Sequence, residues 1–120
     1  DKVFVYASGK PFENLPFGEM FTYDGTIAEN IEQYKLNYLL IEDTMSSIKA
    51  IDWALFIPNG IRSYYAKPFY ERNTLRTVLI LCSTETNAFT EENIEQYDLL
   101  AEPFIKGVKN WRKMLRQKKS

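Results

Sequence analysis

Apolar and polar positions alternate with two periods along this chain. Residues 2–8, KVFVYAS, are rich in Val and aromatics and predict a strand, broken by Gly9-Lys10-Pro11. Residues 12–23 hold Pro16 and Gly18 and predict a loop with a short extended piece. Asp24-Gly25 marks a turn, and Thr26 suits a helix N-cap. Ile27, Ile31 and Tyr34 then share one face of a short helix. Residues 37–42 predict a strand and 43–47 a polar turn. Ile48 to Ile57 predicts a second short helix, stopped by Pro58-Asn59-Gly60.

Residues 60–83, GIRSYYAKPFYERNTLRTVLILCS, predict a hairpin reversing at 71–74, with Asn73 suited to a positive φ. After a loop at 84–88, Thr90 caps a long helix with an acidic first turn. Its apolar stripe (Ile94, Tyr97, Ala101, Phe104 or Ile105, Val108, Trp111, Leu115) recurs every three or four residues. Pro103 and Gly107 weaken that helix. The stripe is longer than the domain needs for its own core, so its last turns are expected to seek a partner. The order of elements predicts an α+β fold with an antiparallel sheet and helices on its faces.

Composition narrows the function. The chain of 120 residues is long enough for one domain with its own core. It has no histidine, which removes Ser-His-Asp and Cys-His catalysis, HExxH zinc sites, a His haem ligand and a phospho-accepting His. The single cysteine, Cys82, rules out a disulfide framework and a cysteine zinc cluster, and points to a reducing, cytoplasmic setting. No run approaches the ~20 apolar residues of a membrane span. The absence of an initiator Met leads us to expect a piece of a longer protein.

The net charge is −1, but seven bases and no acid lie from Lys106 onward. The preceding 105 residues hold the other eight bases and all 16 acids. Cations suit the negative end of a helix dipole, and the tail lacks interleaved aromatics, so no nucleic acid is expected. The carboxylate pairs Glu42-Asp43 and Glu91-Glu92 sit on a strand end and in a helix first turn. Neither has the placement of acid–base machinery, and no catalytic residue is expected.

Three segments together resemble the C-terminal half of a GAF domain. They are GIRSYYAKPFY, LRTVLILCS and AFTEENIEQYDLLAEPF. The matching residues are Gly60, Ile61, Arg62, Ser63, Ala66 and Pro68, then Val78, Leu79 and Leu81, then Phe89, Thr90, Glu91, Glu92, Leu100 and Ala101. The match covers about half the chain; residues 2–58 fit in outline. Thr77 stands where the family usually has glycine, and the family's N-terminal helix is missing before residue 2.

The resemblance implies a GAF/PAS-like antiparallel sheet of five to six strands. Helices would lie on both faces, with a ligand site between the sheet and a crossover at about residues 20–58. It implies a pocket face of Arg62, Tyr64, Leu79, Leu81 and Ser83, with Trp53 and Phe56 as a lid. Such a floor suits a small anion or a planar ring. The same aromatics suit plain core packing, and Arg62 has Asp43 or Asp52 as possible ion-pair partners.

Bilin attachment needs a cysteine in or before the crossover, methionine sulfoxide reduction needs several thiols, and haem or iron needs histidine; the chain has none of these. The cyclic-nucleotide signature of the family is missing too. The expected role is a non-catalytic sensory domain of a signalling protein that acts through its C-terminal helix. The alternative is a dimerisation module whose interface is Tyr97, Phe104, Val108, Trp111 and Leu115.

Overall fold

A computed structural model describes residues 2–16 and 18–118, with side chains inside the last helix described to residue 115. Lys119 of the basic tail lies outside the described residues. The fold is α+β with two antiparallel sheets and a long C-terminal helix. The chain forms two compact units, residues 1–89 and 90–120.

The first sheet pairs β1 (Lys2–Val5) with β2 (Glu19–Thr22), Val3 lying opposite Phe21 and Phe4 opposite Met20. The expected strand over 2–8 thus ends at Val5, and the extended piece in the following loop becomes its partner. The single sheet of five to six strands is not formed among the described residues; the strands divide between sheets of two and three.

Helix α1 (Ile27–Tyr34) begins where its cap predicts. The Glu29 N–H donates to Thr26 Oγ1 at 3.4 Å, and Glu29 Oε1 accepts from the Gly25 N–H at 3.2 Å. The first satisfies a donor that the helix start leaves unpaired, and the second ties the preceding turn to the first turn of the helix. Ile27 and Ile31 are buried, and Lys35 ends the helix in a left-handed conformation.

The second sheet has the order β3 (Leu39–Ile41), β4 (Ser63–Glu71), β5 (Thr74–Ser83). Between β3 and β4 the chain makes a 3-10 turn (Thr44–Ser46), a single π-helical turn (Asp52–Phe56) and a second 3-10 turn (Ile57–Asn59). The expected α-helix over 48–57 is therefore widened to a π turn. It ends at Gly60, left-handed at φ +80°.

The β4–β5 hairpin turns through Arg72 and Asn73, both at positive φ (52° and 65°), which is the twist-matched turn for a two-residue loop. Tyr70 then lies opposite Leu75, but Phe69 lies opposite Thr77. Arg76 is the extra residue of a β-bulge. Beyond it Tyr64 lies opposite Cys82, Ala66 opposite Ile80, and Pro68 opposite Val78. Directly opposed residues project to the same side of a sheet. The core follows from this register. Tyr64 and Ala66 pack with Ile27, Ile31, Ile51, Leu55, Phe56 and Phe12, flanked by Val78, Ile80 and Cys82.

The turn at Gly25 pins α1 to the crossover. The Ile51 N–H donates to the Gly25 carbonyl at 3.1 Å. Gly25 is left-handed at φ +83°, and a β-carbon there would lie 2.9 Å from the Ala50 β-carbon. Gly25→Ala is therefore expected to cost about 1–3 kcal/mol through strain and overpacking combined. Gly60→Ala meets open space, so it carries the conformational cost alone, about 1–2 kcal/mol. Urea unfolding of the two variants should rank them in that order.

Candidate functional site

The seven residues expected to form one pocket fall into separate places. Tyr64 is fully buried, and its ring stacks on Phe56 with centroids 4.8 Å apart. The Tyr64 hydroxyl donates to Asp52 Oδ1 at 2.8 Å. Phe56 is not a lid over an opening but a core side chain. Trp53, on the same π turn, points outward; it is 49% exposed and its Nε1–H donates to the Ser47 carbonyl at 2.9 Å.

Leu79, Leu81 and Ser83 do not share the Tyr64 face. The bulge at Arg76 puts them opposite Lys67, Tyr65 and Ser63, on the other side of the sheet. A two-residue turn with no bulge would have aligned Tyr64 with Leu81, on the one face that the resemblance implies. On that second face, Tyr65 is buried beside Tyr38 (centroids 5.9 Å), and Leu79, Leu81 and Ser83 are half-buried. Ser83 Oγ accepts from the Glu85 N–H at 3.1 Å.

Arg62 takes the simpler of its expected roles. Its Nη2 lies 3.2 Å from Asp43 Oδ1, and the two side chains are 41% and 36% exposed. An ion pair this open contributes little stability. Asp43 also accepts from the Met45 N–H at 3.0 Å, so it caps the first 3-10 turn while holding Arg62. Arg62 Nε is buried with no hydrogen-bond partner. The Thr44 hydroxyl donates to the Ile61 carbonyl at 2.7 Å, tying this corner to β4.

Asp52 is the residue that sequence reading missed. The sequence offers it only as a partner for Arg62, yet it is fully buried on the inner side of the crossover and is held by Tyr64. Its Oδ2 has no hydrogen-bond partner. Burial and the adjacent Asp52 carboxylate together hold the Tyr64 hydroxyl well above its ordinary pKa. The signal available in the sequence was weak: an acidic residue inside the apolar run Ile48–Ile57, at helical spacing from Ile48, Leu55 and Phe56.

An open concavity lies elsewhere. A cleft of about 570 Å³ is lined by Glu32, Lys35, Leu36, Asn37, Lys67, Pro68 and Tyr70. None of the residues expected to bind a ligand is among them. Among the described residues no group of three or more acidic or cysteine side chains is placed to hold a metal ion. No described helix is long and apolar enough to cross a membrane.

In the second unit a 3-10 turn (Glu91–Asn93) leads into α2 (Ile94–Lys118), a helix of 25 residues that runs through Pro103. Thr90 precedes that turn, but the expected side-chain cap is not made; its hydroxyl accepts from Asn93 Nδ2 at 3.2 Å instead. Of the expected interface residues, Phe104 and Leu115 are exposed, and Tyr97, Val108 and Trp111 are half-buried. Leu99, Leu100 and Met114, outside the expected stripe, are more than half exposed.

No family model, no curated protein and no solved structure matches this chain.

Two outcomes follow from the buried groups. Tyr64→Phe strands Asp52 without its donor and should cost about 1–3 kcal/mol, whereas removing both partners with Asp52→Leu as well should recover part of that loss. Chemical denaturation of the two single variants and the double variant measures this. The Cys82 thiol is pushed up from 9.0 to about 12 by burial. The folded chain therefore holds that proton more tightly than the unfolded one. Its contribution to stability is complete below pH 9 and is lost as pH rises from 9 towards 12. Tyr64 adds the same sign above pH 10, so Cys82→Ala should remove the decline that begins near pH 9 and leave the part that Tyr64 adds above pH 10.

Proposed function

We propose that this chain is a non-catalytic regulatory module that works by association, through α2, within a cytoplasmic signalling protein. The observation that carries this reading is the row of large apolar side chains that α2 leaves in water. Leu99 is 69% exposed, Phe104 61%, Leu100 59% and Met114 55%. Exposed apolar groups clustered on one element mark an interaction surface, whereas scattered ones do not.

The GAF-like setting is part of the same proposal. Val5 and Phe21 of the first sheet pack on the core that holds Tyr64, which supports reading the two sheets as parts of one GAF-like layer. The terminal helix is then the output element, in keeping with the resemblance of residues 60–104.

A second reading, a small-ligand sensor, draws on Asp52. A ligand entering between sheet and crossover would separate Phe56 from Tyr64 and meet an unpartnered carboxylate oxygen. That chemistry selects a cation or a hydrogen-bond donor, not the anion first expected from Arg62. Native mass spectrometry of the gently purified chain separates the readings. A bare dimer supports association. A reproducible added mass that is lost in Asp52→Asn supports the sensor.

Association through α2 should be sensitive to charge placed among its exposed apolar side chains. Phe104→Glu and Leu100→Glu should each weaken it at least about tenfold, or about 1.4 kcal/mol, in sedimentation equilibrium with unchanged helical circular dichroism. Undiminished association in both variants would reject this face.

A further inference from the structure

Three exposed side chains of α2, Leu100, Phe104 and Met114, lie on a heptad seam with the half-buried Tyr97 and Trp111. Tyr97, Leu100, Phe104, Gly107, Trp111 and Met114 follow one another at alternating steps of three and four residues. That 3.5-residue repeat is the pattern of a helix pair. The seam contains one glycine, Gly107, and a side chain added there would meet nothing within 4 Å. A seam with a gap in it asks for a large residue opposite the gap.

Charge is divided along the same helix. Glu91, Glu92, Glu95, Asp98 and Glu102 all precede residue 105, with no base among residues 90–105. Every charged residue from Lys106 onward is basic. Two such helices side by side in parallel would set acid beside acid and base beside base. Reversed, they set each acidic half beside a basic half, and the two helix dipoles then oppose one another favourably.

We infer that α2 pairs with α2 of a second copy of this chain in antiparallel orientation, with the two-fold axis passing between Ile105 and Lys106. This rests on the association reading above. The boundary of charge and the seam select the same centre. About that axis Phe104 lies level with the partner's Gly107, Leu100 with the partner's Trp111, and Tyr97 with the partner's Met114. The large aromatic fills the gap, as packed interfaces require. Asp98 falls level with the partner's Lys113 and Glu102 with the partner's Lys109.

The charges lie away from the seam in the heptad, so they act across the helix pair and not as contact ion pairs. A helix is about 10 Å across, so charges on the outer sides of the pair lie about 20 Å apart, beyond the screening length of about 10 Å at 0.1 M salt. The charge division therefore sets orientation most strongly at low salt. The seam supplies affinity at any salt.

The test uses the full chain in a Cys82→Ala background, with a nitroxide on Gln96→Cys or on Asn110→Cys. Both positions are exposed and occupy the same heptad place beside the seam. At a rise of 1.5 Å per residue, the antiparallel pair separates the two Gln96 labels by about 29 Å along the axis, and the two Asn110 labels by about 14 Å. Electron paramagnetic resonance should give that difference, and the dimer should loosen as salt is raised from 50 to 500 mM. Equal distances at the two positions, with a dimer that tightens in salt, would mean parallel pairing. That result would overturn the antiparallel assignment while leaving association intact. A chain that stays monomeric in sedimentation would overturn both.

Discussion

One extra residue in one strand sets the interior of the first unit. The hairpin turn at Arg72–Asn73 would align its strands one way, and the bulge at Arg76 shifts that alignment by a residue. In a sheet a one-residue shift exchanges the two faces. Cys82, Ile80 and Val78 thereby join Tyr64 and Ala66 on the side of α1 and the crossover, and Leu79, Leu81 and Ser83 go to the other. The stack of Tyr64 on Phe56, the bond to Asp52 and the closure of the expected pocket all depend on that register.

The cost of this arrangement falls on Asp52. A buried carboxyl with one satisfied oxygen and one unsatisfied oxygen is held against a desolvation penalty, and only one hydrogen bond offsets it. The surrounding contacts explain why the side chain stays in place. Leu55 and Phe56 on the same π turn are buried, so turning Asp52 to water would expose them. Asp52, Leu55 and Phe56, at positions i, i+3 and i+4, share the inner side of the turn. Trp53 is released to the outside by the same geometry.

Much of this was legible in the residues, and the failures have physical causes. Thr26, Gly60 and the Arg72–Asn73 reversal carry local chemistry that works within a few residues, and the structure uses all three as expected. Arg62 had two acids within reach, and the choice of Asp43 followed from a cap that Asp43 also makes. The facing of β5 was not legible, because Arg76 is chemically ordinary and a bulge leaves no mark in composition. Nor was the pairing of Glu19–Thr22 with β1, which depends on contacts distant in sequence. On α2 the periodic residues were found, but two overlapping stripes, one of 3.6-residue and one of 3.5-residue period, run through Tyr97, Phe104 and Trp111, and periodicity alone does not say which is left in water.

The charge order of α2 serves two ends with one device. Acids in the first turns and bases in the last oppose the helix's own dipole, which helps a helix of 25 residues persist with Pro103 and Gly107 in its middle. That same order makes the helix an electrostatic complement of its own reverse. On the pairing proposed above, a sequence that caps its helix well by charge also favours antiparallel over parallel self-pairing, before any contact across the seam is counted. Gly107 then gains a reason to be in an otherwise apolar row. It weakens the isolated helix by about 1 kcal/mol relative to alanine, and it leaves the space that Phe104 of a reversed copy would fill. On that pairing, local stability is given up at the seam's one glycine, level with the partner's Phe104.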